Sequence, residues 1–364
     1  MQKSHARSFE TGSFAAFMDF ALYHPTLGYY QSPSRQACRG DYLTAPTLSP
    51  IFAASIAAFC APYLQKNPEW SIMEIGPGDG QLCVDLLTFL GPDLPQQYHL
   101  VDHTLNKHSF LSHTLQEKLP EKHQGLIQIR ASPITDFKGI IIANEVLDAM
   151  PVHLVVSNND LILKEYFVAY QAKKHQYTWF TNTPHPDVMH TFNDRGIPLY
   201  PNHQYEISLA IPQWIHNLDT YVSQGLALFI DYGYSRSEYY HPKRPQGTLT
   251  CYRQHQQHHN PLINVGNQDI SAHVDFTLLA ESLSNTHLRP KAFVSQGLFI
   301  AQQNLSGAFN HLKSQLPHKH YQQIIDGSKL LLHPVEMGQQ VWFMIAAKNA
   351  TLLKEPMGDG LHLL

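Results

Sequence analysis

The segment Ser71–Gly80, SIMEIGPGDG, runs straight into QLCVDLLTFL, and this junction limits the chain to few folds. A short apolar strand carries Glu74 near its end. Glycines then alternate at Gly76, Gly78 and Gly80, and a helical pattern of apolar residues begins at once. A strand that turns on glycine into a helix needs further strands beside it, and the chain supplies them. QYHLVD (Gln97–Asp102) and LIQIRAS (Leu126–Ser132) read as the second and third strands, each separated from the next by a helical stretch. GIIIANE (Gly139–Glu145) is a fourth, apolar on both faces as expected inside a parallel sheet. Strands alternating with helices predict an α/β, doubly wound, Rossmann-like sheet.

The segments around this core fit the same plan. Ser13–Tyr23 has the apolar spacing of a helix, ended by His24-Pro25, and a second apolar helix is expected over Ser49–Tyr63. Together they form an N-terminal helical lid over 1–66. The core's first part is 67–151. LVVSNNDLILKEYFVAY reads as a hairpin inserted at 152–205, followed by the loop TPHPDVMHTFNDRGIPLYP. Core structure resumes over 206–350 with a helix at Pro212–Ser223 and the strand LALFIDYGY. A long His-, Gln- and Pro-rich loop (235–272), a helix at Asp275–Ser284, a strand-like run Ala292–Ala301 and a last strand QVWFMIAAK follow. Residues 351–364 are a tail.

Composition excludes several functions. Charged residues are 15% of the 364, and the formal net charge is −4, so there is no basic excess to hold a nucleic-acid backbone. The longest apolar stretch, Ile51–Leu64, is too short to span a bilayer, and the first residues do not read as a secretory signal. Cys38, Cys60, Cys83 and Cys251 show no CxxC spacing and read as reduced thiols, which places the protein in the cytoplasm. The 24 histidines are scattered. Cys251, His255, His258 and His259 have ligand-like types, but no structural metal is expected there.

The glycine loop points to a cofactor. Its spacing is GxGxG, whereas a dinucleotide turn is GxGxxG, built to hold a pyrophosphate. Glu74 would repel a pyrophosphate and suits a ligand with positive groups, such as the sulfonium and ammonium of S-adenosylmethionine. Asp102, about twenty residues on at the end of the second strand, suits ribose hydroxyls. Pro77, Ser132 and Asn144 join Glu74, Gly76, Gly78, Gly80 and Asp102 as cofactor-binding candidates. The alternatives are a plain tight turn, an ion-paired Glu74 and a helix-capping Asp102.

The full run of motifs resembles the MidA-like S-adenosylmethionine-dependent methyltransferases. These include mitochondrial complex I assembly factors with protein arginine methyltransferase activity. The resemblance rests on YHPTLGYY, GDYLTAP, EIGPGDG, IIANEVLDAMPVH, FIDYGY, GTLTCYRQH, DISAHVDF and VEMG, spread from Phe14 to Lys348. The sequence departs from the family at Thr47, where Glu is usual, at Asp102, one carbon shorter than the usual Glu, and at Val341-Trp342 in place of an aromatic–Lys pair. The resemblance implies a seven-stranded sheet with an antiparallel last strand. It also implies methyl transfer to arginine in a partner protein such as a respiratory complex subunit.

Arginine is a poor nucleophile that a pair of carboxylates could hold and align. Glu145 and Asp148 are the catalytic candidates, since they follow the fourth strand at the sheet's carboxyl edge, where a helical turn would put both on one face. The alternative is that Asp148 caps a turn before Pro151 and Glu145 pairs with a base. Tyr29, Tyr30 and Asp41 are lid-side candidates. A non-catalytic assembly protein of the same fold is the second reading, and homodimerisation is left open. The loop spacing disfavours an NAD-dependent oxidoreductase. Asn144-Glu145-Val146-Leu147 lacks the N/D-P-P-Y/F motif of amide methyltransferases.

Overall fold

The computed structural model describes residues 9–31, 44–354, 356 and 358–364. The chain divides into two compact units. One contains Leu43–Val146, Ile215–Gly233 and Ala280–Leu364. The other contains the described residues of Met1–Tyr42, with Leu147–Trp214 and Tyr234–Leu279.

The first unit is built on a sheet whose main path has seven strands. These are β1 (Ser71–Ile75), β2 (Tyr98–Val101), β3 (Ile127–Arg130), β4 (Phe137–Asn144), β5 (Val222–Tyr234), β6 (Arg289–Ser295) and β7 (Val341–Lys348). Their order is β6-β7-β5-β4-β1-β2-β3. The pairs β5–β4, β4–β1, β1–β2 and β2–β3 are parallel, and β7 is antiparallel to both its neighbours. The order reverses on either side of the β1–β4 pair, so the carboxyl ends of β1 and β4 flank the switch point of the sheet, the usual ligand position in this architecture.

Both faces of the sheet are buried. Ile72, Leu100, Ile140, Ile142, Leu228 and Ile230 point to one face, with helices Ile51–Lys66, Gln81–Leu90 and Gln296–Ala301 contributing to the same core. Met73, Ile141, Phe229 and Met344 alternate with them and are fully buried too. Such burial explains why the fourth strand reads as an unbroken apolar run rather than an alternating one. Phe343 is fully buried and stacks on Phe299 at 4.0 Å between ring centroids.

The second unit carries a five-stranded sheet in which Leu163–Gln171 pairs with Thr11–Ser13, His153–Ser157 and Gln176–Asn182. The predicted hairpin is present and has a further strand, Gln176–Asn182, that the sequence reading did not include. The expected loop after it contains a helix, Pro186–Asp194. Pro186 opens this helix, His185 Nδ1 accepts the Asp187 amide at 3.3 Å, and Val188 and Phe192 bury one turn apart. The long His-rich loop folds as a short three-stranded sheet, Gln256–His258, Thr250–Arg253 and Asp269–Ser271.

Two further boundaries differ from expectation. Ala292–Ala301 is not one strand: β6 ends at Ser295 and a helix, Gln296–Ala301, begins there. The predicted lid is also divided, because helix Ile51–Lys66 buries Phe52, Ile56, Cys60 and Tyr63 in the core of the first unit.

Truncating Phe343 to Ala should cost about 3–5 kcal/mol, the scale for removing a buried aromatic ring. Urea unfolding of the full chain measures it, and a loss below about 1 kcal/mol would contradict this packing.

Candidate cofactor site

β1 ends at Ile75, and the backbone turns left-handed at each loop glycine: φ is +67° at Gly76, +57° at Gly78 and +82° at Gly80. A side chain is strained at such φ values. The surroundings of the three differ. A Cβ on Gly80 would lie 2.8 Å from Leu111 Cδ1, whereas one on Gly78 would meet nothing within 4 Å. Gly80 is therefore fixed by packing beneath the loop, while Gly78 faces open space. Pro77 between them is buried. The Gly76 amide donates to Val101 O at 3.0 Å, tying the loop to the end of β2. Helix Gln81–Leu90 starts immediately after, with Asp79 Oδ1 accepting the Gln81 amide at 3.0 Å.

Glu74 lies under this loop, 3% exposed, and accepts a hydrogen bond from the Tyr98 hydroxyl at 2.6 Å. Burial pushes its carboxyl up to about 8, against the opposing pull of that bond. It is neither the free charge nor the ion pair that the sequence suggested. It is a buried acid hydrogen-bonded to a phenol. Tyr98 was missed by sequence reasoning, and the signal was the aromatic residue opening the second strand.

Asp102 follows β2 and is 5% exposed. Its Oδ1 accepts the Thr104 amide at 2.8 Å, and Thr104 is the cap residue of helix Leu105–Lys118. One carboxylate oxygen is thus held in a turn at the carboxyl edge of the sheet. Ser132 lies in the exposed loop beyond β3.

Asn144 ends β4. Its Nδ2 donates to Glu145 Oε1 at 3.5 Å, and its buried Oδ1 has no hydrogen-bond partner among the described residues. Glu145 is half-buried with φ +51°, and its amide donates to Ile230 O at 2.8 Å. A left-handed glutamate costs about 1 kcal/mol and marks a place where geometry is imposed. The next residue, Val146, packs against the loop, since a Cβ on Gly76 would lie 3.0 Å from Val146 Cγ2.

The expected helical turn from Glu145 to Asp148 is absent. Glu145 is left-handed and the chain passes through a bend and a turn closed by Met150 N to Leu147 O. The boundary between the two units falls between Val146 and Leu147. Asp148 is 5% exposed, and its carbonyl accepts the Ala272 amide at 2.9 Å.

In that same unit Tyr29 is buried, and Tyr30 donates to Asp269 Oδ1 at 2.8 Å. Asp41 lies outside the described residues. Thr47 sits in the last turn of helix Ala45–Leu48, and its Oγ1 accepts the Thr44 amide at 3.1 Å. That is the reciprocal capping contact a Glu at this place would also supply, so the departure keeps the local fold. The described residues contain no group of three or more His, Cys, Asp or Glu arranged to hold a metal. Cys251 pairs across strands with His258, and burial pushes its thiol up to about 12.

Residues 55–294 match the family described as "putative S-adenosyl-L-methionine-dependent methyltransferase". The mitochondrial protein arginine methyltransferase NDUFAF7 homolog of Drosophila melanogaster is 25% identical, over 91% of this chain and 80% of its own length. The Mus musculus protein arginine methyltransferase NDUFAF7 is also 25% identical, over 90% and 79%. A Burkholderia thailandensis crystal structure bound to S-adenosyl-homocysteine superposes with a TM-score of 0.88 at 27% identity, covering 98% of this chain and 93% of that one. A native crystal structure from the same organism gives 0.86 at 28%, covering 98% and 92%.

The buried Glu74 makes stability depend on pH. In the unfolded chain its proton leaves near 4.3, and in the native state near 8, so stability should fall as pH rises through that window. The slope is at most about 1.4 kcal/mol per pH unit. Glu74→Gln should remove it, as urea unfolding at acid and mildly alkaline pH will show. A variant that loses stability with pH as steeply as the wild type would refute this.

Proposed function

The chain belongs to this S-adenosyl-L-methionine-dependent methyltransferase family, and from that membership we propose that it methylates arginine in a partner protein. The Gly76–Gly80 loop carries the reading, because it leaves open space at Gly78, between a strand with a buried acid near its end and a helix start. The donor set suits the cofactor. Backbone at Gly76 and Gly78 allows close approach, Asp102 offers acceptors for hydroxyls, and Asn144 Oδ1 is an acceptor with its own need for a donor. Glu74 supports the loop from below through Tyr98. Bound S-adenosylmethionine supplies an electrophilic methyl group. The Burkholderia thailandensis relative's S-adenosyl-homocysteine supports this choice of cofactor.

Every other demand falls on the chain's own residues. A guanidinium is charged and delocalised, so one nitrogen must be aimed and the positive charge drawn to the far side of the group. Glu145 can do both by accepting paired N–H bonds, and its strained backbone and the Asn144 amide fix where its carboxylate points. Asp148 is not needed for this reading. Arginine is favoured over other acceptors because the curated relatives carry that activity in their names. We extend the proposal to a respiratory-complex subunit as substrate, on the family resemblance, and to a cytoplasmic setting, on the buried free thiols of Cys60, Cys83 and Cys251. Among the described residues no helix is long and apolar enough to cross a membrane.

Labelled S-adenosylmethionine incubated with the protein and candidate partners should yield methylarginine on mass spectrometry of the hydrolysate. Glu145→Gln keeps the size and backbone strain of the residue and should cut transfer by a factor of about 100 or more, with cofactor affinity unchanged. Transfer at the wild-type rate would rule out Glu145. Gly78→Val should abolish S-adenosyl-homocysteine binding in calorimetry, and unchanged binding there would rule out the loop.

A further inference from the structure

The strand Gln176–Asn182 is the outer member of its sheet. It pairs with Leu163–Gln171 in unbroken register from Glu165↔Asn182 to Gln171↔Gln176, and among the described residues no strand pairs with its other side. An edge of this kind presents a row of backbone N–H and C=O groups to any strand that meets it. Edges are normally blunted by a lysine, a proline, a bulge or short length. This one has seven residues, QYTWFTN, with no charge and no proline.

The edge also carries fixed apolar surface. Trp179 is 37% exposed and Phe180 41%. Each is braced from behind: Trp179 by Phe14 and Tyr166, at 5.3 and 5.4 Å between centroids, and Phe180 by Phe167 at 5.5 Å. A rigid aromatic pair beside an open ladder loses little side-chain entropy when it is covered.

The charge pattern selects the occupant. When the strand is laid antiparallel against a copy of itself about Trp179, Gln176 faces Asn182, Tyr177 faces Thr181, Thr178 faces Phe180, and the two Trp179 side chains face each other. No charge meets a like charge along the ladder. Continuing the same register past each end sets Lys174 opposite Pro184 and Lys173 opposite His185 of the other copy, two residues from Asp187. There Asp187 is 74% exposed, and its local partner His185 is 3.6 Å away. The two-fold repeats this contact at both ends, as a closed isologous interface requires.

We propose that Gln176–Asn182 is a homodimer interface, in which two copies join this strand antiparallel about Trp179 to make one continuous sheet. The ladder with its aromatic pairs buries less than the roughly 1,600 Å² of a standard stable interface. The dimer is therefore weak and reversible, with a dissociation constant on the order of 10 μM. Added salt loosens it through the Lys173, Lys174 and Asp187 contacts.

Sedimentation velocity of the full chain, from about 1 to about 200 μM, should show a concentration-dependent monomer–dimer equilibrium. Thr181→Lys places a charge on the exposed edge without touching the core and should weaken dimerisation at least about 30-fold. Trp179→Cys should give an interchain disulfide on mild oxidation, because directly opposed residues of an antiparallel pair lie within disulfide reach. A protein that stays monomeric throughout overturns the proposal and leaves the edge to a strand of a different chain. A dimer that survives Thr181→Lys and forms no Trp179→Cys crosslink overturns it as well.

Discussion

The left-handed turn between β1 and helix Gln81–Leu90 is the constraint on which the first unit's chemistry rests. Its amide at Gly76 is bonded to the end of β2, and its Cα lies against Val146, just past β4. The Glu145 amide is in turn bonded to Ile230 in β5. The carboxyl ends of four parallel strands are therefore tied together at one place. A side chain at Gly80 would push on Leu111 and loosen this junction, whereas one at Gly78 would occupy the space the junction leaves open.

The acids around this turn have different roles because their surroundings differ. Glu74 is sealed beneath the loop, where desolvation outweighs its bond to Tyr98 and favours the neutral carboxyl below about pH 8. A cation bound above it would favour the carboxylate, so binding and proton release are linked there. Asp102 is also buried, and one of its oxygens accepts an amide at the sheet edge. Glu145 is only half-buried and sits on strained backbone, the condition in which a carboxylate is aimed rather than stored.

The alternating strands and helices of the first unit were legible because its central strands bury both faces, and the runs this produces show in the residues themselves. The glycine turn was legible from its spacing. The helix Pro186–Asp194 was not, because it buries only Val188 and Phe192 and the rest of it is mostly polar. The strand Gln176–Asn182 was missed because, as an edge strand, it buries only Tyr177, too little to impose a visible alternation. In the candidate site, residue types were readable and their states were not. Nothing in EIGPGDG reveals that Glu74 is bonded to Tyr98, a contact made by strand register. The helical turn expected from Glu145 to Asp148 is absent for a related reason: the stretch begins with a left-handed residue.

A crystal structure with S-adenosyl-homocysteine bound tests the central claim most directly. The account predicts the ligand across the Gly76–Gly80 loop, with its ribose hydroxyls on Asp102 and a donor on Asn144 Oδ1. A ligand bound elsewhere on the chain, or a loop that stays empty at saturating concentration, would contradict it.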